Sequence, residues 1–314
     1  MPKLKGNEEK YVNGYKVDKE NNDVIYSDEK HVYFTKNGFN PCISVTTLIH
    51  SYQNPFDAFF WSSYKTCEKL MKPEDFLAVK PTLLATKKWD DRLIEKYGLN
   101  VEEFNKTRKD ISDSYDAERN KSCERGTRIH SEYEEMWYGK PEHDLSQKFG
   151  LGGKFTCKKG YYELDLEKGL YPEFLLSWES PDGFLRIAGQ IDILIKDGND
   201  ITIGDFKTNR EIKKRAYYDS VTKTQQTLKY PLNNLGDCNF NVYQLQLSLY
   251  AWMLQQINPE FNIKRLFLIH IDHNDKITEI ECQYLKHDVE RMLDHYKKTL
   301  CQKSAIDRDK PIIF

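Results

Sequence analysis

Apolar residues recur on a period of two in some stretches of this chain and on a helical period in others, and their order outlines an α/β fold. Phe184 to Lys196 carries Ile187, Ile191, Ile193 and Ile195 on a period of two, the pattern of a strand with one face on a core. Asp197-Gly198 is a hairpin-turn signal, and Asp200 to Lys207 reads as the return strand. Tyr171 to Trp178 and Arg265 to Ile271 are further strands. Tyr243 to Ile257 places Leu245, Leu249, Trp252, Met253 and Ile257 on one helical face, and 286–301 reads as a last helix. Residues 11–49 alternate as short strands and turns, with Tyr11 to Tyr15 and His31 to Phe34 the clearest. Ser44 to Ile49 reads as the start of a helix with hydroxyls available as caps. About 55–138 is helical and charged, with breaks expected at Pro73, Pro81 and Gly98. The glycine-rich run Gly150-Leu151-Gly152-Gly153 marks the change to the strand-rich half. The predicted fold is α/β: a mixed central sheet flanked by helices, with an N-terminal mostly helical region.

No repeat, low-complexity tract or linker divides the 314 residues. A single domain over 1–314 is expected, with strands and turns over 1–50, a helical region over 51–140 and a core over 165–301. A hydrophobic fraction of 39% and an aromatic fraction of 13% argue against disorder. No apolar run is long enough to span a membrane, and the first ten residues lack a signal-peptide core, so a cytoplasmic protein without membrane partners is expected. Seven cysteines without a C-x-x-C spacing give no support to zinc or iron–sulfur ligation and fit reduced thiols. The net charge of −2 means that any DNA contact must use local positive charge. Lys207 to Lys229 supplies it: Arg210, Lys213, Lys214 and Arg215 are interleaved with Tyr217, Tyr218 and, just beyond, Tyr230. Such a strip is either a path for single-stranded DNA or a solvated charged loop.

The hairpin carries the chemistry. Asp205 and Lys207 are two apart on one strand and so share a face. Asp192 sits among apolar residues, where a carboxylate is costly without a partner or a cation. With Asp197-Gly198 as a two-residue loop, Lys196 pairs with Asn199 and Asp192 falls opposite Ile203, on the face of Asp205 and Lys207. Two carboxylates and an ammonium arranged this way suit Mg²⁺ or Mn²⁺ and a phosphodiester. The other reading is a surface salt bridge on a hairpin.

Gly189-Gln190-Ile191-Asp192 followed by Gly204-Asp205-Phe206-Lys207-Thr208 resembles the G-x-x-D … D-x-K signature of the PD-(D/E)XK nuclease superfamily, with its restriction-endonuclease-like core. Gly126-Thr127-Arg128-Ile129-His130 resembles the G-T-x-x-H motif of the RecB-like exonuclease branch, with Glu134 one turn later. Gln246-Leu247-Ser248-Leu249-Tyr250 is similar to its Q-x-x-x-Y motif. The run from Lys207 through Pro231-Leu232 to Tyr243 looks most like phage-type members. The resemblance implies Asp192 and Asp205 as metal ligands, with the Phe206 carbonyl joining them and His130 binding or flanking the metal. It implies Lys207 as the catalytic lysine and Glu173 as the acidic residue ahead of the hairpin. Gln246 and Tyr250 lie one helical turn apart and point either at the site or at the DNA backbone. An Mg²⁺- or Mn²⁺-dependent DNA exonuclease without an iron–sulfur cluster is expected. It would work on linear ends, single- or double-stranded, beside a phage recombination protein or helicase in an infected bacterium's cytoplasm. A DNA-binding scaffold on the same fold and an RNA-processing nuclease are the alternatives.

Overall fold

The computed structural model describes residues 10–21, 23–145, 153–158, 166–219 and 223–308. Gly150 to Gly152 of the glycine-rich run lie outside them. Nine strands make one mixed sheet: β1 (Lys19–Glu20), β2 (Val24–Ser27), β3 (Val32–Thr35), β4 (Pro41–Ser44), β5 (Gly169–Glu179), β6 (Arg186–Asp197), β7 (Asp200–Lys207), β8 (Asn262–Ile271) and β9 (Ile277–Cys282). Their order is β9-β8-β7-β6-β4-β3-β2-β1, with β5 along the other edge of β6. The β7–β8 and β4–β6 pairs are parallel and the others antiparallel.

The helices are α1 (Val45–His50), α2 (Ala58–Leu70), α3 (Pro73–Thr86), α4 (Arg92–Lys96), α5 (Val101–Tyr138), α6 (Asn239–Ile257) and α7 (Lys286–Arg308). Ser44 caps α1 as expected, its hydroxyl accepting from the Thr47 N–H at 3.0 Å. Asp57 and Asn100 cap α2 and α5 in the same way. Pro73 begins α3, where a missing N–H costs nothing, and Gly98 separates α4 from α5. Pro81, expected to break the helix, lies inside α3. The carbonyl it cannot bond belongs to Leu77, which is 64% exposed and open to water.

The principal core packs one sheet face against α1, α6 and α7, with Leu48, Ile187, Ile203, Leu249 and Met292 fully buried. The other face is covered in two parts. Ile129 and Trp137 of α5 cover Ile193, Ile195, Phe206 and Phe267, while Val24, Tyr26 and Tyr33 of the N-terminal strands cover Leu175 and Ala188. Phe60, Tyr64, Phe76, Leu83 and Phe104 form a separate core among α2, α3 and α5.

Two details of β6 differ from the sequence expectation. The hairpin loop is Gly198-Asn199, closed by the pair Asp197 and Asp200, with Gly198 at φ 61°. The register is therefore shifted by two residues, Leu194 rather than Asp192 facing Ile203. A two-residue shift preserves the face of every side chain in the regular ladder, and Asp192 still ends beside Asp205, although not through a shared face. The period of two, however, breaks at Asp192. Ile187 and Ile191 share the principal core with Leu194, whereas Ile193 and Ile195 go to the opposite face. On β5, Phe174 and Tyr171 share one core across the matching position, Glu173, whose φ is +50°. There β6 also changes partners: it pairs with β4 at Ile187–Ala188 and with β7 only from Ile193. Residues 189–192 thus lie in a fork of the sheet.

Candidate active site

Asp192 sits in the fork, 8% exposed, and its Oδ2 accepts from the Phe206 N–H at 2.8 Å. That bond fixes it beside Asp205, which is 1% exposed. The N–H and C=O of one residue leave a strand on the same side, so the Phe206 carbonyl belongs to this edge too. Glu173 comes from β5. Its left-handed backbone is strained for a residue other than glycine. The Tyr138 hydroxyl helps to hold the turn by donating to the Pro172 carbonyl at 3.0 Å.

His130 arrives from α5, on the face opposite the principal core. Its Nδ1 lies 3.4 Å from Glu173 Oε1 and 3.6 Å from Asp192 Oδ2. Arg125, just over one turn earlier, ties this stretch of helix to the sheet by donating to the carbonyls of Thr208, Ile271 and Asp272. From the other face, α6 supplies Gln246. Its Nε2 donates to Asp205 Oδ1 at 3.1 Å and its Oε1 accepts from Lys207 Nζ at 3.2 Å. Lys207 Nζ is 2.5 Å from Asp205 Oδ2 and 4.6 Å from the Tyr243 ring centroid.

Charge is dense here, and burial makes it expensive. Burial first, then the neighbouring Asp192, pushes the Asp205 carboxyl up to about 6. Burial also raises Asp192, opposed by His130. The negative charge of Asp192, against the opposing pull of burial, lifts His130 to about 9, with Glu173 adding to the effect. Burial pulls the Lys207 ammonium down, but Asp205 and Asp192 outweigh it and the group titrates above its ordinary value. It is a cation at neutral pH.

The expected residues His130, Glu173, Asp192, Asp205 and Lys207 thus converge, although they come from four elements. Gln246 and Tyr250 are both buried and both line the cleft, so of the two destinations open to them they take the site, Tyr250 with its hydroxyl against Gly189. Arg210, Lys213, Lys214 and Arg215 are exposed on the segment after β7. Glu134, one turn beyond His130, lies 3.3 Å from Lys19. Lys19 is the residue that sequence reasoning missed. From β1 it reaches a cleft of about 480 Å³, where it lies 3.9 Å from Glu173 Oε2. Tyr26, Asp28, His31 and Tyr33 complete that wall.

A family model described as PD-(D/E)XK nuclease superfamily matches residues 92–310. The chain belongs to the PD-(D/E)XK nuclease superfamily. A comparison with curated proteins gives no match. Among solved structures, one titled "Crystal structure of SSO0001" is 15% identical with a TM-score of 0.29, covering 60% of this chain and 61% of that one. Two glycines near the acidic residues of the site have physical reasons in this chain. A Cβ at Gly189 would stand 2.8 Å from the Tyr250 hydroxyl, and one at Gly204 would stand 2.6 Å from the Phe267 ring. At each of these positions an aromatic ring occupies the space that a side chain would need.

Superfamily members use divalent metal ions, and the donor set fits one. One imidazole nitrogen and one oxygen each from Glu173 and Asp192 lie within 4.8 Å of one another. A mainly oxygen set with a single imidazole suits Mg²⁺ or Mn²⁺.

Proposed function

We propose that this protein is a metal-dependent deoxyribonuclease of the RecB-like exonuclease type, hydrolysing phosphodiester bonds from DNA ends with Mg²⁺ or Mn²⁺. The observation that carries the reading is the Lys207–Asp205–Gln246 cluster beside the His130–Glu173–Asp192 donor set. A scaffold that only bound DNA would have no need of a buried lysine held against a buried carboxylate. His130, Glu173, Asp192, Asp205 and the Phe206 carbonyl would hold the metal. When bound, the metal supplies Lewis-acid polarisation of the phosphate and a nucleophile at neutral pH.

The chain's own groups do the rest. Lys207 is protonated and cannot act as a base; it donates a hydrogen bond to the incoming water or to a phosphate oxygen whose charge grows in the transition state. Gln246 fixes that ammonium from behind, bonding lysine and carboxylate with one amide. Lys19, on the opposite wall, adds a second positive charge facing the scissile phosphate. Arg210, Lys213, Lys214 and Arg215 bind the DNA backbone away from the reacting atoms. The run that looks most like phage-type members supports a role in phage DNA recombination or processing, beside a recombination protein or helicase in an infected bacterial cell.

The test is incubation of the purified protein with linear and circular DNA, single- and double-stranded, and with RNA, each with Mg²⁺, Mn²⁺ or EDTA. Metal-dependent loss of linear DNA alone is expected. Equal cutting of circles removes the end-dependence, preference for RNA removes the substrate, and full activity of Asp205→Ala removes the site.

A further inference from the structure

A second groove, of about 630 Å³, opens two residues past Lys207, between the segment after β7 and the middle of α5. It is joined to the site through Asn209, whose side-chain oxygen accepts from the Tyr243 hydroxyl at 2.6 Å; the Tyr243 ring is the one facing Lys207. It is joined a second time along α5. Tyr115, Arg119, Ser122, Gly126 and His130 follow one another at steps of three or four and so form a single stripe. Ser122 lines the groove, and Gly126, one turn on, lines the catalytic cleft.

The groove's lining is unusual for plain solvent-facing surface. Phe56 is 63% exposed and meets Tyr115 edge to face, with centroids 5.4 Å apart and an interplanar angle of 82°. An edge-to-face pair leaves a ring face free. Arg210 and Lys213 project into the same groove without an ion-pair partner among the described residues, while Arg119 is paired with Asp116. Glu118 and Glu211 also line it. A carboxylate repels phosphate but can accept a hydrogen bond from the exocyclic amino group of a base.

We propose that this groove holds unpaired nucleotides of the DNA strand whose phosphodiester lies in the catalytic cleft, with Phe56 as a stacking platform. The proposal rests on the nuclease reading and adds the strandedness of its substrate. A base within a duplex has both faces covered by its neighbours, so only an unpaired base can stack on an exposed ring. From Tyr115 to His130 the helix rises about 22 Å at 1.5 Å per residue, room for several nucleotides between groove and cleft.

The test is fluorescence anisotropy on the full chain in EDTA, where no cleavage is needed. The probes are a labelled twelve-residue oligothymidylate, its oligouridylate counterpart and a blunt duplex of two fully complementary strands. Phe56→Ala should weaken oligothymidylate binding about 5- to 150-fold, the worth of one stacked base, and Phe56→Tyr should restore it. Affinity for the blunt duplex should be the same in all three proteins. Because Phe56 is mostly exposed, the alanine variant should melt with the wild type. Unchanged oligothymidylate binding in Phe56→Ala overturns the proposal, as does an equal loss on the duplex. Binding of oligouridylate without oligothymidylate overturns it for DNA. These outcomes are independent of turnover. Cleavage with no Phe56 effect removes the groove and keeps the nuclease, while a Phe56 effect without cleavage under any metal does the reverse.

Discussion

Alanine at Gly189 should destabilise the protein, and the same substitution should become stabilising once Tyr250 is leucine. The added methyl carbon would lie 2.8 Å from the Tyr250 hydroxyl, 2.9 Å from Cε1 and 3.2 Å from Cζ. Comfortable contact between such atoms needs about 3.5 Å or more, so strand and helix must part by roughly half an ångström or the ring must move. Neither is cheap: Tyr250 is 3% exposed, with its neighbours Leu247, Leu249 and Met253 all buried. Overpacking of this kind costs about 1–3 kcal/mol. Against it stands the usual gain of about 0.4–1 kcal/mol from replacing glycine where the backbone permits. The net effect is a loss of up to about 2.6 kcal/mol. Leucine at 250 has none of the three crowding atoms, so in that background only the gain remains and the sign reverses. Urea denaturation of the four proteins in a double-mutant cycle measures it, with a coupling energy of about 1–3 kcal/mol expected. Turnover should fall in Gly189→Ala as well, because Gln246 stands one turn from the displaced ring. A Gly189→Ala protein that is stabilised to the same degree in both backgrounds would refute the close approach and the reasoning built on it.

Lys207→Ala should reduce turnover by several orders of magnitude while leaving DNA affinity in Ca²⁺ close to the wild type, since the ammonium acts on charge that develops in the transition state; a large loss of affinity with normal kcat would contradict this. The Asp205 carboxyl, raised from 3.8 to about 6, binds its proton more tightly folded than unfolded. Its contribution to the stability of the metal-free protein is complete below pH 4 and declines by about 3 kcal/mol as pH rises through 6. Urea melts in EDTA between pH 4 and 6.5 should show that decline, and Asp205→Asn should flatten it. Replacing Lys213, Lys214 and Arg215 together by alanine should lower the slope of log K against log salt by about 0.7–0.9 for each phosphate that is no longer neutralised. An unchanged slope would make that strip a solvated loop.

What the sequence made legible was local. The β6–β7 hairpin, the helix carrying Gln246 and the cap at Ser44 are written in short-range periodicity and turn chemistry, and the G-x-x-D, D-x-K and G-T-x-x-H spacings, with the acidic residue ahead of the hairpin, named five residues that meet. What it hid depends on distant pairing. β4 joins β6 in parallel across more than a hundred intervening positions, bringing Lys19, Tyr26 and Tyr33 to the cleft wall, and no local pattern announces that. The face change at Asp192 was invisible for another reason. Isoleucines at 187, 191, 193 and 195 read as one stripe, because a shift of one residue leaves apolar side chains apolar and only redirects them. The edge strand β9 went unpredicted: Thr278, Glu279 and Glu281 make it polar, although it pairs with β8 over its whole length.

The fork in the sheet gives the site two separate anchors, and they can fail separately. α5, fastened by Arg125, delivers His130 to Glu173 and Asp192 through one side of the opening. α6 delivers Gln246 to Asp205 and Lys207 through the other. Loosening the first helix, as Arg125→Ala would, should show up as a weaker grip on the metal that excess metal overcomes. Loosening the second, as Gln246→Ala would, should leave a protein that turns over slowly even when metal is saturating. The two kinds of damage divide along the two faces of a single sheet, so a variant's metal titration reports which side of the molecule has given way.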